Sequence, residues 1–210
     1  MFDGVLPPAS TALLQDLNGE LRALGFYLAG GTGLALQLGH RVSEDLDFFT
    51  AADFNPVTVS RYLETRPDYS ETMVSRGTLY CRASGVKLSF LHYPVPLRHP
   101  ALEYLGVKVA DWRDILAGKF KTVSRRGSRR DFYDIYACLT QKHLSIAEGT
   151  ALIKDRFAGT GINYQHVAKS LTWFADAESE PDPNLLIRTD WATVKEFFDS
   201  HAADFAESLA

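Results

Sequence analysis

The chain has 210 residues, 46% of them hydrophobic, and a formal net charge of −4. That length and apolar content suffice for a sizeable core, in one domain or in a domain with an appendage. The acidic balance excludes wholesale electrostatic adhesion to nucleic acid or anionic lipid, and leaves a local basic patch at Arg125, Arg126, Arg129 and Arg130 for such contacts.

In chain order, Pro7-Pro8 lead into an amphipathic helix predicted over residues 9–24, where Leu13, Leu17, Leu21 and Leu24 recur at helical spacing. Residues 26–29 form a short apolar run fit for a buried strand. Gly30-Gly31 turn the chain, and Leu34, Leu36 and Leu38 belong to the next helix, closed by Gly39. A strand follows at 46–50. Asn55-Pro56 make an N-cap and first-turn pair for a helix to about residue 65. Strands at 69–75, 78–83 and 86–93, separated by Arg76-Gly77 and Ser84-Gly85, predict a β-meander. Asp111 and Ser128 are the expected N-caps of helices to residues 123 and 139, and further helices are predicted over 146–157, 164–174 and 191–206, with an acidic, proline-bearing loop at 178–183. The fold class is therefore α+β: a mixed sheet flanked by helices plus a C-terminal helical part, with a boundary near residue 140 dividing 1–140 from 141–210.

Cys81 and Cys138 match no metal or CxxC spacing and lie in apolar surroundings, as buried free thiols do. With no basic and apolar leader at Met1-Phe2-Asp3-Gly4 and no bilayer-length apolar run, the expected location is the cytoplasm, with no membrane partner.

The chemistry concentrates in Gly30-Gly31-Thr32 and Asp45-Leu46-Asp47. Residues two apart on a strand face the same way, so the two carboxylates, roughly 7 Å apart at the backbone, can converge on one cation. Mg²⁺ suits them, because it takes one or two carboxylates and fills its octahedron with water and phosphate oxygens. Glycines at a helix start let phosphate approach the backbone N–H groups. Leu36 stands where a dinucleotide fingerprint needs its third glycine, and no Gly-Lys-Ser/Thr follows, so neither a Rossmann nor a Walker A loop is indicated. A second constellation comprises Lys119 and Arg125-Arg126-Gly127-Ser128-Arg129-Arg130-Asp131-Phe132-Tyr133-Asp134, which carries the cations a triphosphate needs. Asp131 is equally placed to close a Ser128 capping box, and Asp131 and Asp134, one helical turn apart, to pair with Arg126 or Arg130.

The run from Leu28 through Gly30-Gly31-Thr32 to Gly39-His40-Arg41-Val42-Ser43-Glu44-Asp45-Leu46-Asp47-Phe48-Phe49 resembles the AbiEii-type nucleotidyltransferases, toxin components of type IV toxin–antitoxin and abortive-infection systems. The resemblance continues through Asp114 to Lys119, Arg130 to Tyr136 and Trp173 to Glu178. It implies a nucleotidyltransferase fold of the DNA polymerase β type that transfers a nucleoside monophosphate from an NTP. Asp45 and Asp47 would hold Mg²⁺, or Mn²⁺ in its place. Gly30, Gly31, Thr32, Arg41, Ser43, Arg126 and Arg130 would bind nucleotide and phosphate. Lys119 would contact the nucleotide, and Asp131 or Asp134 would organise or activate the acceptor. One departure stands out: Ser89 occupies the strand position where such enzymes carry a third metal-binding acid.

The leading expectation is a Mg²⁺-dependent transferase acting on tRNA, another nucleic acid or a protein, with an antitoxin encoded nearby. The alternative, which Ser89 favours, is a catalytically weak nucleotide-binding protein that works with a cognate partner. Transfer to a small molecule such as an aminoglycoside ranks last. None of the six histidines shows ligand spacing.

Overall fold

Caps and apolar periodicity place most elements where the sequence puts them. The computed structural model describes all 210 residues. After a 3-10 turn at Asp3–Val5 come helix α1 (Pro8–Ala23), strand β1 (Tyr27–Leu28), helix α2 (Gly30–Leu38), strand β2 (Leu46–Thr50) and helix α3 (Pro56–Leu63). The meander of β3 (Ser70–Ser75), β4 (Thr78–Ala83) and β5 (Val86–His92) precedes a hairpin of β6 (Leu102–Tyr104) and β7 (Val107–Val109). Helices complete the chain: α4 (Trp112–Arg126), α5 (Arg129–Gln141), α6 (Ile146–Arg156), α7 (Tyr164–Ser170), α8 (Ala175–Glu178), α9 (Trp191–Ser200) and α10 (Ala202–Ser208). The Asn55 and Asp111 side chains accept the backbone N–H groups of Val57 and Arg113, as N-caps do.

One seven-stranded sheet runs β3-β4-β5-β2-β1-β7-β6. It is mixed: β2 with β5 and β1 with β7 are parallel, and the other pairs are antiparallel. Alternation along β2 and β5 sends Leu46, Phe48, Leu88 and Phe90 into an apolar layer with Leu13, Leu14 and Leu17 of α1 and Val59 and Leu63 of α3. A second apolar cluster lies among the helices and joins Leu116 and Phe120 of α4 and Phe132 and Ile135 of α5 to Ile153, Phe198 and Phe205. Helix α2 is buried all round, with Leu34 and Leu38 in this cluster and Ala35 and Leu36 in the other. The opposite residues of β2 and β5, among them Asp47, Phe49, Lys87 and Ser89, face a cleft between sheet and helices.

Several expectations change. The β6–β7 hairpin was not anticipated, because three-residue strands fall below what a period-2 pattern can show. Helix α2 starts at Gly30, so the double glycine is its first turn instead of a separate turn before it. The helix expected to end near 174 stops at Ser170, a short α8 leads into the acidic loop, and the last helix breaks at His201. Strand β2 begins at Leu46, which leaves Asp45 just before it. The Ser128–Asp131 capping box is absent. Glu180, from the acidic loop, accepts the Ser128 hydroxyl at 2.7 Å and the Arg129 N–H at 2.9 Å, which frees Asp131 for cations.

Candidate active site

Three chain segments carry the expected site residues into a cleft of about 740 Å³: the start of α2, the stretch from Arg41 to Phe49, and the adjoining parts of α4 and α5. The glycines are what allow the first two to meet. Gly30 has φ +61°, and a Cβ there would sit 2.5 Å from Asp47 Oδ2; at Gly31 it would sit 2.0 Å from Arg41 Nη2. The α2 N-terminus is therefore wrapped by an acid and a guanidinium, with its first-turn amides at the cleft wall.

Asp45 and Asp47 both line the cleft. Burial pushes the Asp47 carboxyl above the ordinary carboxylate range, against the opposing pull of Ser89 and Lys119. Arg130 Nη1 approaches Asp45 Oδ2 at 3.6 Å, with both side chains partly exposed. Parallel pairing of β2 and β5 sets Ser89 directly opposite Asp47, so the position of the expected third acid holds a hydroxyl. No group of three or more histidine, cysteine or acidic residues is arranged to hold a metal. Two carboxylates beside open space fit Mg²⁺, whose remaining positions water and phosphate can fill.

Behind these acids lies a buried charge network. Asp134 is fully buried: Oδ1 accepts from His40 Nε2 and Arg41 Nε, both at 2.7 Å, and Oδ2 from Arg41 Nη2 at 3.1 Å and Lys119 Nζ at 2.5 Å. Asp131 accepts from Lys119 Nζ at 2.7 Å and Arg126 Nε at 3.1 Å. Burial alone would raise both carboxyls; the cations hold Asp131 below its ordinary value and Asp134 well below it. Burial alone would lower Lys119, and the two aspartates hold it above its usual range. Burial lowers His40 despite Asp134, which keeps the imidazole neutral, donating through Nε2 and leaving Nδ1 without a partner. Two carboxylates thus face three cations, Arg41, Lys119 and Arg126, and the network turns a surplus positive charge toward the cleft.

Of the expected site residues, Gly30, Gly31, Arg41, Ser43, Asp45, Asp47, Lys119, Arg126, Arg130 and Asp131 line the cleft. Thr32 and Asp134 do not. Thr32 Oγ1 lies 2.8 Å from Ser43 Oγ and donates to the Asp45 carbonyl, tying the acidic stretch to α2. Arg129 points away from the cleft, to the carbonyls of Ala177 and Glu178 and the carboxylate of Asp182. Sequence reasoning passed over His40, and over Tyr80, Arg82 and Lys87, which lie on the cleft face of β4 and β5. The period-2 alternation Leu79, Cys81, Ala83 in and Tyr80, Arg82 out was the available signal.

A sequence model of the family described as "Nucleotidyl transferase AbiEii toxin, Type IV TA system" matches residues 12–89 and 79–210. A protein of Aquifex aeolicus (strain VF5), described only as uncharacterized, is 33% identical over 191 residues, 87% of this chain and 89% of its own length. Among solved structures, a putative nucleotidyltransferase from H. pylori aligns over 100% of this chain and 97% of its own, with a TM-score of 0.54 and 16% identity. MenT4, a nucleotidyltransferase toxin of Mycobacterium tuberculosis H37Rv, aligns over 97% of this chain and 89% of its own, with a TM-score of 0.57 and 16% identity. At such identities the structural likeness speaks to the fold, which is that of the nucleotidyltransferases.

Proposed function

The chain belongs to the AbiEii nucleotidyl transferase toxin family, and from that premise we propose that its cleft transfers a nucleoside monophosphate from a Mg²⁺-bound NTP to a hydroxyl of an RNA such as tRNA. The observation that carries this reading is the meeting, in one cleft, of the α2 N-terminus, the Asp45–Asp47 pair and the cations Arg126 and Arg130.

Asp45 and Asp47 would hold Mg²⁺, or Mn²⁺ in its place. The ion, when bound, neutralises triphosphate charge and makes an acceptor hydroxyl more acidic. Amides of the α2 first turn receive phosphate oxygens, and the Ser43 hydroxyl, held between Thr32 and Arg41, braces that turn. Arg126, held by Asp131 through Nε, and Arg130 are each about half exposed and turn toward the negative charge that gathers on the leaving group. Lys119 and Arg41 are fixed by Asp131 and Asp134 and supply positive field that needs no reorganisation. In the transfer itself the acceptor hydroxyl gives its proton to water, its oxygen bonds to the α-phosphorus, the bond from that phosphorus to the bridging oxygen breaks, and pyrophosphate departs. Asp131 and Asp134, saturated by cations, serve here as positioning residues. Past Ser89, Tyr80 offers a stacking surface and Arg82 and Lys87 offer phosphate contacts, which suits a nucleic-acid acceptor.

As a member of a toxin family the chain would work beside a cognate antitoxin, in the cytoplasm where NTP and tRNA are found; no helix is long and apolar enough to cross a membrane. Incubation with Mg²⁺, NTPs carrying an α-phosphate label and cell RNA should put ribonuclease-sensitive label on RNA, abolished by a chelator. Ser89 favours a second reading, a nucleotide-binding protein with little turnover. Under it, calorimetry would show NTP binding while no label is transferred.

A further inference from the structure

Strand register orders the cleft face of the meander. One row of side chains runs from Asp47 on β2 to Ser89 on β5, Tyr80 on β4 and Met73 on β3; the row beside it holds Lys87, Arg82 and Ser70. Members of a row share a face and stand roughly 4.8 Å apart at the backbone, so two spacings, roughly 10 Å, separate Tyr80 from Asp47. Ser89 is the short member between them. An acid at that position would fill the gap; a serine leaves it open, and the long Tyr80 side chain can lean across it toward a phosphate held beside Asp47.

The other hydroxyls around the acids are engaged. Ser43 lies between Thr32 and Arg41, Ser89 donates to Asp47, and Thr122 donates to the Gly118 carbonyl. Tyr93 accepts from Lys121 Nζ at 3.2 Å, and Tyr27 accepts from Arg156. Tyr80, 37% exposed, lines the cleft with a hydroxyl bound to no other side chain. The hydroxyls of β3 lie one strand further out. A free phenol on the acceptor side of a phosphoryl-transfer site is a nucleophile already held near its target. Arg82 and Lys87, in the row beside it, are placed to hold the phosphate of a nucleotide once attached.

Taking the cleft as a nucleotidyltransferase site, the reading on which this rests, we infer that the Tyr80 hydroxyl of the same chain takes the nucleoside monophosphate when no RNA fills the acceptor side. In that step the phenol oxygen bonds to the α-phosphorus of the bound NTP and the phenol proton passes to water. The bond from the α-phosphorus to its bridging oxygen breaks, and its electron pair leaves with pyrophosphate. The product is a tyrosine phosphodiester at the cleft mouth, where it competes with RNA for the acceptor side.

The test is to incubate the full chain, freed of RNA, with Mg²⁺ and each α-labelled NTP in turn, beside parallel samples given cell RNA, and to resolve the products on denaturing gels. At least one NTP should leave acid-stable label on the protein. Peptide mass spectrometry should place a gain of one nucleoside monophosphate, less water, on the peptide that carries Tyr80. Tyr80→Phe keeps the ring and removes only the acceptor oxygen, so it should lose the protein label, as should Asp47→Asn. The peptide mass, read on wild type, decides the site if Tyr80→Phe does not fold. Label that survives Tyr80→Phe, or that acid releases as it would a lysine phosphoramidate, overturns the assignment to Tyr80. Labelled RNA with no labelled protein in the RNA-free samples overturns self-modification and leaves the transferase reading standing. Label on neither RNA nor protein overturns both.

Discussion

Asp134 shows how a single carboxylate organises the site without lining it. Four short contacts from His40, Arg41 and Lys119 saturate its two oxygens at full burial. Removing one charge leaves the others buried and unbalanced, so Asp134→Asn should lower the free energy of unfolding at pH 7 by about 3–5 kcal/mol in urea titrations. The same contacts set a pH dependence. Burial alone would raise the Asp134 carboxyl, yet its cations hold it well below the ordinary 3.8. Its contribution is therefore complete above that value and is lost as pH falls from 3.8 toward the folded pKa. Wild-type stability should decline in that acid window, and Asp134→Asn should flatten the decline; an equal slope in both proteins would show that other groups govern it. Lys119→Ala is expected to cost about as much stability as Asp134→Asn, because it removes one cation partner from each of two buried carboxylates. Activity lost in that variant therefore counts for catalysis only beside a matched unfolding curve.

Helix α2 does its work through its first turn. An added methyl at Gly31 would fall 2.0 Å from Arg41 Nη2, and Arg41 cannot retreat without leaving Asp134. Gly31→Ala should cost about 1–3 kcal/mol in stability and weaken NTP binding in calorimetry. Gly19→Ala on α1, where nothing lies within 4 Å, should be neutral or stabilise by up to about 1 kcal/mol. Equal effects at the two positions would contradict the packing account of Gly31. The sequence marked this element, since paired glycines before a leucine-rich segment predict a helix start approached closely. What it could not show is that the first neighbours of those glycines are Asp47 and Arg41, side chains 10 or more positions away whose convergence depends on strand pairing. The same limit applies at Ser128, where a local capping box was the natural expectation. A distant carboxylate, Glu180, took the role because the acidic loop returns across the start of α5.

At the scale of the whole molecule, the C-terminal helices are part of the frame that aims the site. Phe132 of α5 packs on Phe174, Trp191 and Phe198, and Arg156 of α6 reaches under α4 to Asp114. We propose that residues 141–210 are not detachable: a chain ending at 140 would expose Phe120, Phe132 and Ile135 and should show no cooperative thermal transition. A sharp transition in that fragment would make 1–140 an independent domain. The α+β class, the meander and the helical C-terminal part were legible because long periodic segments announce themselves. The arrangement of the cleft was legible only in part: Asp45, Asp47 and Lys119 stood out by type and spacing, whereas Tyr27, Phe49, Tyr93 and Arg156 read as ordinary core and surface residues until strand register and helix packing placed them together. If the cleft moves a nucleotidyl group using Asp45 and Asp47, then incubating wild type and Asp47→Asn with Mg²⁺, cell RNA and an NTP labelled in turn at its α- and γ-phosphate will attach only α-label to RNA, and Asp47→Asn will reduce that label at least about a hundredfold. Attachment of γ-label, or α-labelling by Asp47→Asn at the wild-type rate, would contradict that mechanism.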